Sequence, residues 1–472
     1  MNLIGDSKTP TGYQIAAFLI IGTALGFVNL IGLLPTAGLV VFLACATIIT
    51  LFKGIYRFLV LSGIVLLACV FMEPAPSDII LVAAIPLGLV ADTFKPQAFG
   101  RASLAAGLML IYCIVSLPGI AASVDVASAW RYYLITFYLF LLSLFICAYS
   151  RRENITALLG AYVLAAFLSF IAGFAGQMGL FPDQLMLDAY RVKGLFKDPN
   201  VYGPFFVPAI ILLLDDIKGK RILKTHASFH VVGIVLLLLG VVFSYSRAAW
   251  INMVTAGFIY LFLNLHSVEP IRFKRIALAV AAVSAAVVFL FSMPVLRDND
   301  VVKFLQDRVR LQEYDNDRFS AQRGGLELMI EYPFGIGPGQ FESRIGNIIG
   351  QRISAHSLYI RTAAENGIAG FLFFFAALSS ILIQLWLIYR TFRKSRCAST
   401  STLSLAGPNQ TGSMCLGYEH IGISPAALIA IIVGILVNSL VVDTLHWRHF
   451  WFFIGIALYS LREAGKKVEE YE

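Results

Sequence analysis

His356 follows a long polar stretch and stands at the head of an apolar run, one of seven histidines in the chain. A neutral imidazole in that position could take a proton from an incoming hydroxyl near neutral pH. The plainer alternative is a residue that only caps the helix behind it. Arg247 sits in Ser244-Tyr245-Ser246-Arg247-Ala248-Ala249-Trp250, a tight turn between two apolar runs. Arg191 sits in Tyr190-Arg191-Val192-Lys193-Gly194-Leu195-Phe196-Lys197-Asp198-Pro199-Asn200, just before another. Cations at membrane depth are costly and usually line a cavity or meet a partner. A guanidinium fork suits phosphate oxygens, while snorkelling to lipid headgroups would explain either arginine taken alone.

Other chemistry has little support. Asp298-Asn299-Asp300 and Asp315-Asn316-Asp317 are Asp-x-Asp patterns of the kind hard cations favour, but such patterns are common by chance in acidic loops. No catalytic metal and no cofactor is expected. No Gly-rich phosphate loop precedes a lysine and no Gly-x-Ser-x-Gly elbow occurs, so nucleotide hydrolysis and serine chemistry are unsupported. His446 and His449 flank Trp447 and Arg448 in a short turn, where stacking or interfacial anchoring explains them equally well.

These residues need elements to carry them, and composition names the kind. Of 472 residues, 58% are hydrophobic and 14% charged, with a mean hydropathy of +0.80. A soluble domain carries about 25% charged residues. The balance excludes a soluble enzyme, a disordered chain and a disulfide scaffold. Apolar segments near 14–33, 36–52, 58–72, 79–91, 104–118, 131–150 and 155–176 are followed by others near 203–214, 229–245, 249–265, 276–293, 358–389, 425–442 and 449–461. A membrane helix takes about 20 such residues, and several of these runs are short. The expectation is an all-α polytopic membrane protein with 12–14 transmembrane helices. No signal peptide is evident at the N-terminus. The six cysteines suggest no disulfide or metal spacing.

The turns sort by charge. One side, from Lys8 and Lys53 to Lys467, holds 21 basic residues; the other holds 15, of which 8 lie in the long loop between Arg297 and Arg352. Long loops are discounted in orienting a chain, so the comparison is 21 against 7 and both termini are expected in the cytoplasm. The net charge of +8 therefore reflects topology and not nucleic acid. Residues 294–357 form a long external loop, too apolar and aromatic for disorder. Helical spacing over 320–331 places Leu326, Met329 and Ile330 on one face. The run Pro333-Phe334-Gly335-Ile336-Gly337-Pro338-Gly339 then ends it as a rigid turn. The Ser/Thr/Gly-rich residues 397–424 read as an inner flexible linker.

Three blocks in order resemble the O-antigen ligase and polymerase superfamily of bacterial membrane glycosyltransferases. The first runs from Arg191 through Gly194-Leu195-Phe196 to Pro199-Asn200, and the second is Ser246-Arg247. The third begins at Arg318, passes Gly325-Leu326 and the Pro333 to Phe341 run, and ends with Ala355-His356-Ser357-Leu358-Tyr359 and Glu365-Asn366-Gly367-Ile368-Ala369-Gly370. Ser357 stands where members often carry Asn. The resemblance covers about residues 190–390.

It implies a glycan moved from a polyprenyl-diphosphate carrier to an acceptor hydroxyl on a glycan or lipid-linked glycan. The reaction would be inverting and metal-independent, on the external (periplasmic) face of a bacterial inner membrane. Arg191 and Arg247 would hold the diphosphate and His356 would act as the base, with Arg318, Lys193 and Tyr359 as supporting candidates. The chain then divides into N-terminal transmembrane helices (1–190), a ligase-like catalytic region (191–393), a cytoplasmic linker (394–424) and C-terminal transmembrane helices with a tail (425–472). A transporter or flippase for a glycan or lipid-linked substrate would share the span count and the buried arginines, although paired half-helices of the transporter kind do not stand out.

Overall fold

A computed structural model describes residues 53–90, 99–151, 154–219, 222–223, 225–264, 313–403 and 422–469. The apolar runs near 14–33, 36–52 and 276–293 lie outside them, as does Asp298-Asn299-Asp300. The described chain is all-α, with α1 (Lys53–Val65), α2 (Pro76–Val90), α3 (Ser103–Ala121), α4 (Val126–Tyr149), α5 (Ile155–Gln177), α6 (Pro182–Leu185) and α7 (Pro199–Gly219). Beyond these come α8 (Ala227–Phe243), α9 (Arg247–Asn264), α10 (Glu313–Glu331), α11 (Phe341–Ile349), α12 (Leu358–Leu403), α13 (Pro425–Asn438) and α14 (Arg448–Glu469). Only isolated bridges, Val70 with Phe196 and Met186 with Val192, interrupt this among the described residues.

Helix is what these sequences must adopt where no water can satisfy the backbone. Among the described residues, five helices are long and apolar enough to cross a membrane, and four shorter apolar ones accompany them. The polytopic all-α expectation holds. Burial sorts the helices by position. In α7, Tyr202 through Leu213 are buried, and α13 and α14 are buried along most of their length. The flanking helices instead turn large apolar side chains outward: Leu104, Ile114 and Leu117 on α3, Phe229 and Val232 on α8, Val254 and Phe258 on α9, Leu372 and Ile383 on α12. The core helices are thus ringed by helices with lipid-compatible faces.

Polar ties close the helix ends opposite the site. Asp216 accepts the N–H groups of Ile222 and Leu223 at 2.8 Å each and pairs with buried His230 at 2.8 Å. Arg462 donates to the carbonyls of Cys147 and Ser150, which caps the end of α4.

At the other end, α10, the 332–340 turn and α11 form a small cap with its own core of Ala321, Leu328, Ile336, Phe341, Ile345 and Ala355 closed on Ala364 of α12. The packing face of α10 differs from the one the hydrophobic spacing suggested. Leu326 and Ile330 point outward, and Ala321, Gly324, Gly325 and Leu328 point in. The reason is close approach: a Cβ on Gly325 would stand 2.3 Å from Ile360 and 2.9 Å from Phe341.

The apolar run at 358–389 is likewise not one straight span. Backbone breaks at Gly367 (φ 68°, ψ −176°), and the cap fills the break. Ile336 N–H donates to Ala364 O at 2.9 Å, Gly337 N–H to Glu365 O at 3.0 Å, and Ile368 N–H to Pro333 O at 2.9 Å. The side-chain amide of buried Gln340 adds a reciprocal pair with the backbone of Asp125, at 3.0 and 3.1 Å, just before α4. Farther on, α12 continues to Leu403, so the first part of the stretch read as a linker is helical.

Candidate active site

The site is assembled from three stretches distant in sequence. The first is the segment before α7. Asp188 Oδ1 accepts the N–H groups of Tyr190 at 3.0 Å and Arg191 at 2.8 Å, a local side-chain turn of the kind aspartate favours. Asp198 does the same for Asn200 N–H at 2.7 Å, while its carbonyl receives Val201 and Tyr202 as α7 begins. Gly194, at φ 56°, lets the chain pass over the ring of Tyr202. Arg191 is thereby held half-buried, its Nε on Ser244 O and its Nη2 on Asn200 Oδ1, each at 3.4 Å.

The second stretch is the turn between α8 and α9. Tyr245 adopts φ 47°, a left-handed conformation that costs energy in a bulky residue and often accompanies functional sites. It leaves Ser246 Oγ to donate to Asn200 Oδ1 at 2.8 Å, so one amide oxygen joins this turn to Arg191. Arg247 opens α9 and gives its Nη2 to Asp315, 2.6 Å to Oδ1 and 2.8 Å to Oδ2. Asp315 belongs to the sequence's Asp-x-Asp pattern, and here it is an arginine partner. Among the described residues no group of three or more His, Cys, Asp and Glu is placed to hold a metal.

The third stretch carries Arg318, one helical turn beyond Asp315 on α10, and His356. His356 adopts φ 45° just before α12. Its carbonyl accepts from Gln322 Nε2 at 3.4 Å, and its imidazole makes no hydrogen bond among the described residues. Capping of α12 falls to Ser357, whose Oγ faces Ile360 N–H at 3.5 Å and whose carbonyl receives Arg361 N–H at 3.0 Å. Ser and Asn are both good N-caps, so Ser357 keeps what an asparagine there would supply. Burial holds the His356 imidazole below its ordinary pKa, and the Arg318 charge adds to that; Asp198 and Asp443 oppose it, and Arg361 again lowers it. Burial and the Arg318 charge both favour the neutral imidazole, in which one ring nitrogen is open to a proton. Residues 232–375 match the O-antigen ligase family model.

The ligase-family stretch contains Arg247, Arg318, His356 and Tyr359; Arg191, Lys193 and Asn200 precede it and are joined to it by the Asn200 oxygen. No curated protein matches the chain. The match spans under a third of the chain; with the helical architecture it supports, in general terms, a membrane glycosyltransferase similar to O-antigen ligases.

The supporting candidates are placed differently from one another. Lys193 Nζ contacts the carbonyl of Asp183 at 3.4 Å, and the Tyr359 hydroxyl donates to Leu436 O at 2.9 Å while its ring stacks on Phe375. Both contacts are structural. Residues outside the sequence-level set complete the surroundings. Buried Arg361 pairs with Glu342, with Asp443 at 2.9 Å and with Glu365 at 3.8 Å, and lies over the ring of Tyr132. His446 is bound through Nε2 to Thr136 at 3.0 Å and is pushed down to about 4 by burial. His449 is buried between Phe205 and Trp447, and Arg448 is bidentate on Asp78 at 2.7 and 2.6 Å. The stacking explanation of His449 fits this environment. The Asp315 pairing had a signal in the sequence, an acidic pattern whose partner was not visible, and Glu365 lay in the third motif block; Arg361, Glu342 and Asp443 had none.

Proposed function

We propose that this chain transfers a glycan from a polyprenyl-diphosphate carrier to an acceptor hydroxyl at the external face of the bacterial inner membrane, with both termini in the cytoplasm. Supporting it most directly is the convergence of Arg191 and Ser246 on Asn200, with the adjacent Arg247 paired to the helix whose Arg318 charge acts on His356. Arg191 and Arg247 bind the diphosphate and stabilise the charge that gathers on it as the anomeric C–O bond breaks. His356 takes the acceptor proton as the new C–O bond forms. The products are the extended acceptor and the free polyprenyl diphosphate. A single displacement inverts the anomeric centre and asks no metal of the site, since guanidinium groups supply the counter-charge. Lys193 and Tyr359 support the two sides of the site by holding its backbone.

The test is transfer of labelled lipid-linked glycan by the purified protein. His356→Ala should abolish most transfer and leave donor binding intact. Full transfer by that variant would remove the base assignment, and absence of transfer by the wild type across lipid-linked glycans would favour a transporter.

A further inference from the structure

Asn200 belongs to the first motif block, yet neither the guanidinium pair nor the imidazole accounts for its amide. Its orientation is fixed by chemistry. Arg191 Nη2 can only donate, so the atom it meets must be the amide oxygen; the Ser246 hydroxyl donates to that same oxygen at 2.8 Å. A flipped amide would set two donors against each other. The backbone N–H of Asn200 is taken by Asp198 at 2.7 Å. What is left is the Nδ2 group, two N–H donors on a half-buried side chain with no partner among the described residues. They sit beside Arg191 and beside Ser246, the residue before Arg247, and no described acceptor meets them.

The geometry points to Asn200 as a donor-binding residue whose Nδ2 hydrogens bond a diphosphate oxygen alongside Arg191 and Arg247. The inference rests on the reading of that arginine pair as the diphosphate site. It assigns the amide two tasks, its oxygen aligning the cations and its nitrogen contacting the anion. A neutral donor is useful here, because it adds a charge-assisted hydrogen bond without adding another cation to repel the arginines.

A double-mutant cycle separates contact from alignment. Farnesyl diphosphate is titrated into the full-length protein in lipid nanodiscs, with farnesol as the control for tail binding, for wild type, Arg191→Ala, Asn200→Ala and the double variant. Direct contact predicts that Asn200→Ala weakens diphosphate binding about tenfold, the size of one hydrogen bond to a charged group, in both backgrounds. In the Arg191→Ala background, Asn200→Asp should bind more weakly than Asn200→Ala, since a carboxylate faces the phosphate. Asn200→Asp also keeps the oxygen that holds Ser246, which guards against misfolding. An Asn200→Ala effect that vanishes once Arg191 is gone, wild-type affinity in Asn200→Ala, or Asp binding as well as Ala would each overturn the assignment. Failure of the underlying reading is distinguishable: Arg247→Ala would then bind farnesyl diphosphate as the wild type does, or the wild type would not prefer it to farnesol.

Discussion

Replacing Arg247 by Ala removes a cation from Asp315 as well as from the donor, and the two losses can be separated. The Asp315 carboxylate is only 8% exposed and accepts from Arg247 Nη2 at 2.6 and 2.8 Å, whereas the arginine side chain is 25% exposed. A hydrogen bond to a charged group contributes about 1.5–3 kcal/mol, and partial exposure of the arginine screens some of that. Arg247→Ala should therefore destabilise the protein by about 2 kcal/mol by taking a guanidinium away from a buried carboxylate. Adding Asp315→Asn neutralises that carboxylate and should recover most of the loss, visible as a return of the thermal unfolding midpoint in detergent. Donor affinity should not return with it. It should stay about 10- to 100-fold weak in both Arg247→Ala proteins, because the phosphate-binding fork is absent from each. Recovery of wild-type donor affinity and transfer in the double variant would show that Arg247 serves only to satisfy Asp315, and would refute its role at the diphosphate.

Three further outcomes are expected. Transfer should fall as pH drops through a pKa below the ordinary histidine value, since only neutral His356 accepts a proton, and Arg318→Gln should move that acidic limb to higher pH by removing a charge that disfavours the imidazolium; a limb unmoved by Arg318→Gln, in a pH–rate profile of transfer, would count against His356. Gly367→Ala should unfold at a markedly lower temperature, because its φ of 68° resists a side chain and the new Cβ would lie 2.5 Å from Pro333 O and Phe334 C. In a cysteine-free background, Glu342→Cys should react with an impermeant maleimide in spheroplasts and Thr225→Cys should not; the reverse pattern would invert the topology and the site with it.

The sequence made the membrane class legible because burial of apolar surface dominates so hydrophobic a chain, and composition reports that term directly. The motif blocks were also legible, since Arg191 to Asn200 and Ser246-Arg247 are each local. Their junction was not. The Asn200 oxygen that joins them reaches across 46 residues to Ser246, and Arg247 reaches across 68 to Asp315, separations at which spacing carries no information. Asp315 therefore resembled one half of a metal pattern. The face of α10 was misassigned for a related reason. Periodicity weighs side-chain hydropathy, and Gly324 and Gly325 contribute none, although their lack of a side chain is what brings α10 against Phe341 and Ile360. The break at Gly367 is hidden in the same way, inside an apolar run that reads as continuous.

That break bears on how such proteins can be recombined. Because the amides of Ile336 and Gly337 terminate on carbonyls released by the interrupted helix, and Ile368 answers on Pro333, the cap has no seam at the bundle surface where it could be detached. Gln340 sews it a second time to the chain before α4. An exchange of caps between two related chains has to carry residues 333–368 as one inherited piece, with a matching partner for Gln340 at the head of α4. A junction placed at Ser357, the apparent loop-to-helix boundary, divides donors from acceptors and takes from the carbonyls of Ala364 and Glu365 the amides that meet them. A cap therefore travels between lineages only together with the first turns of the helix it fills, Leu358 to Ile368.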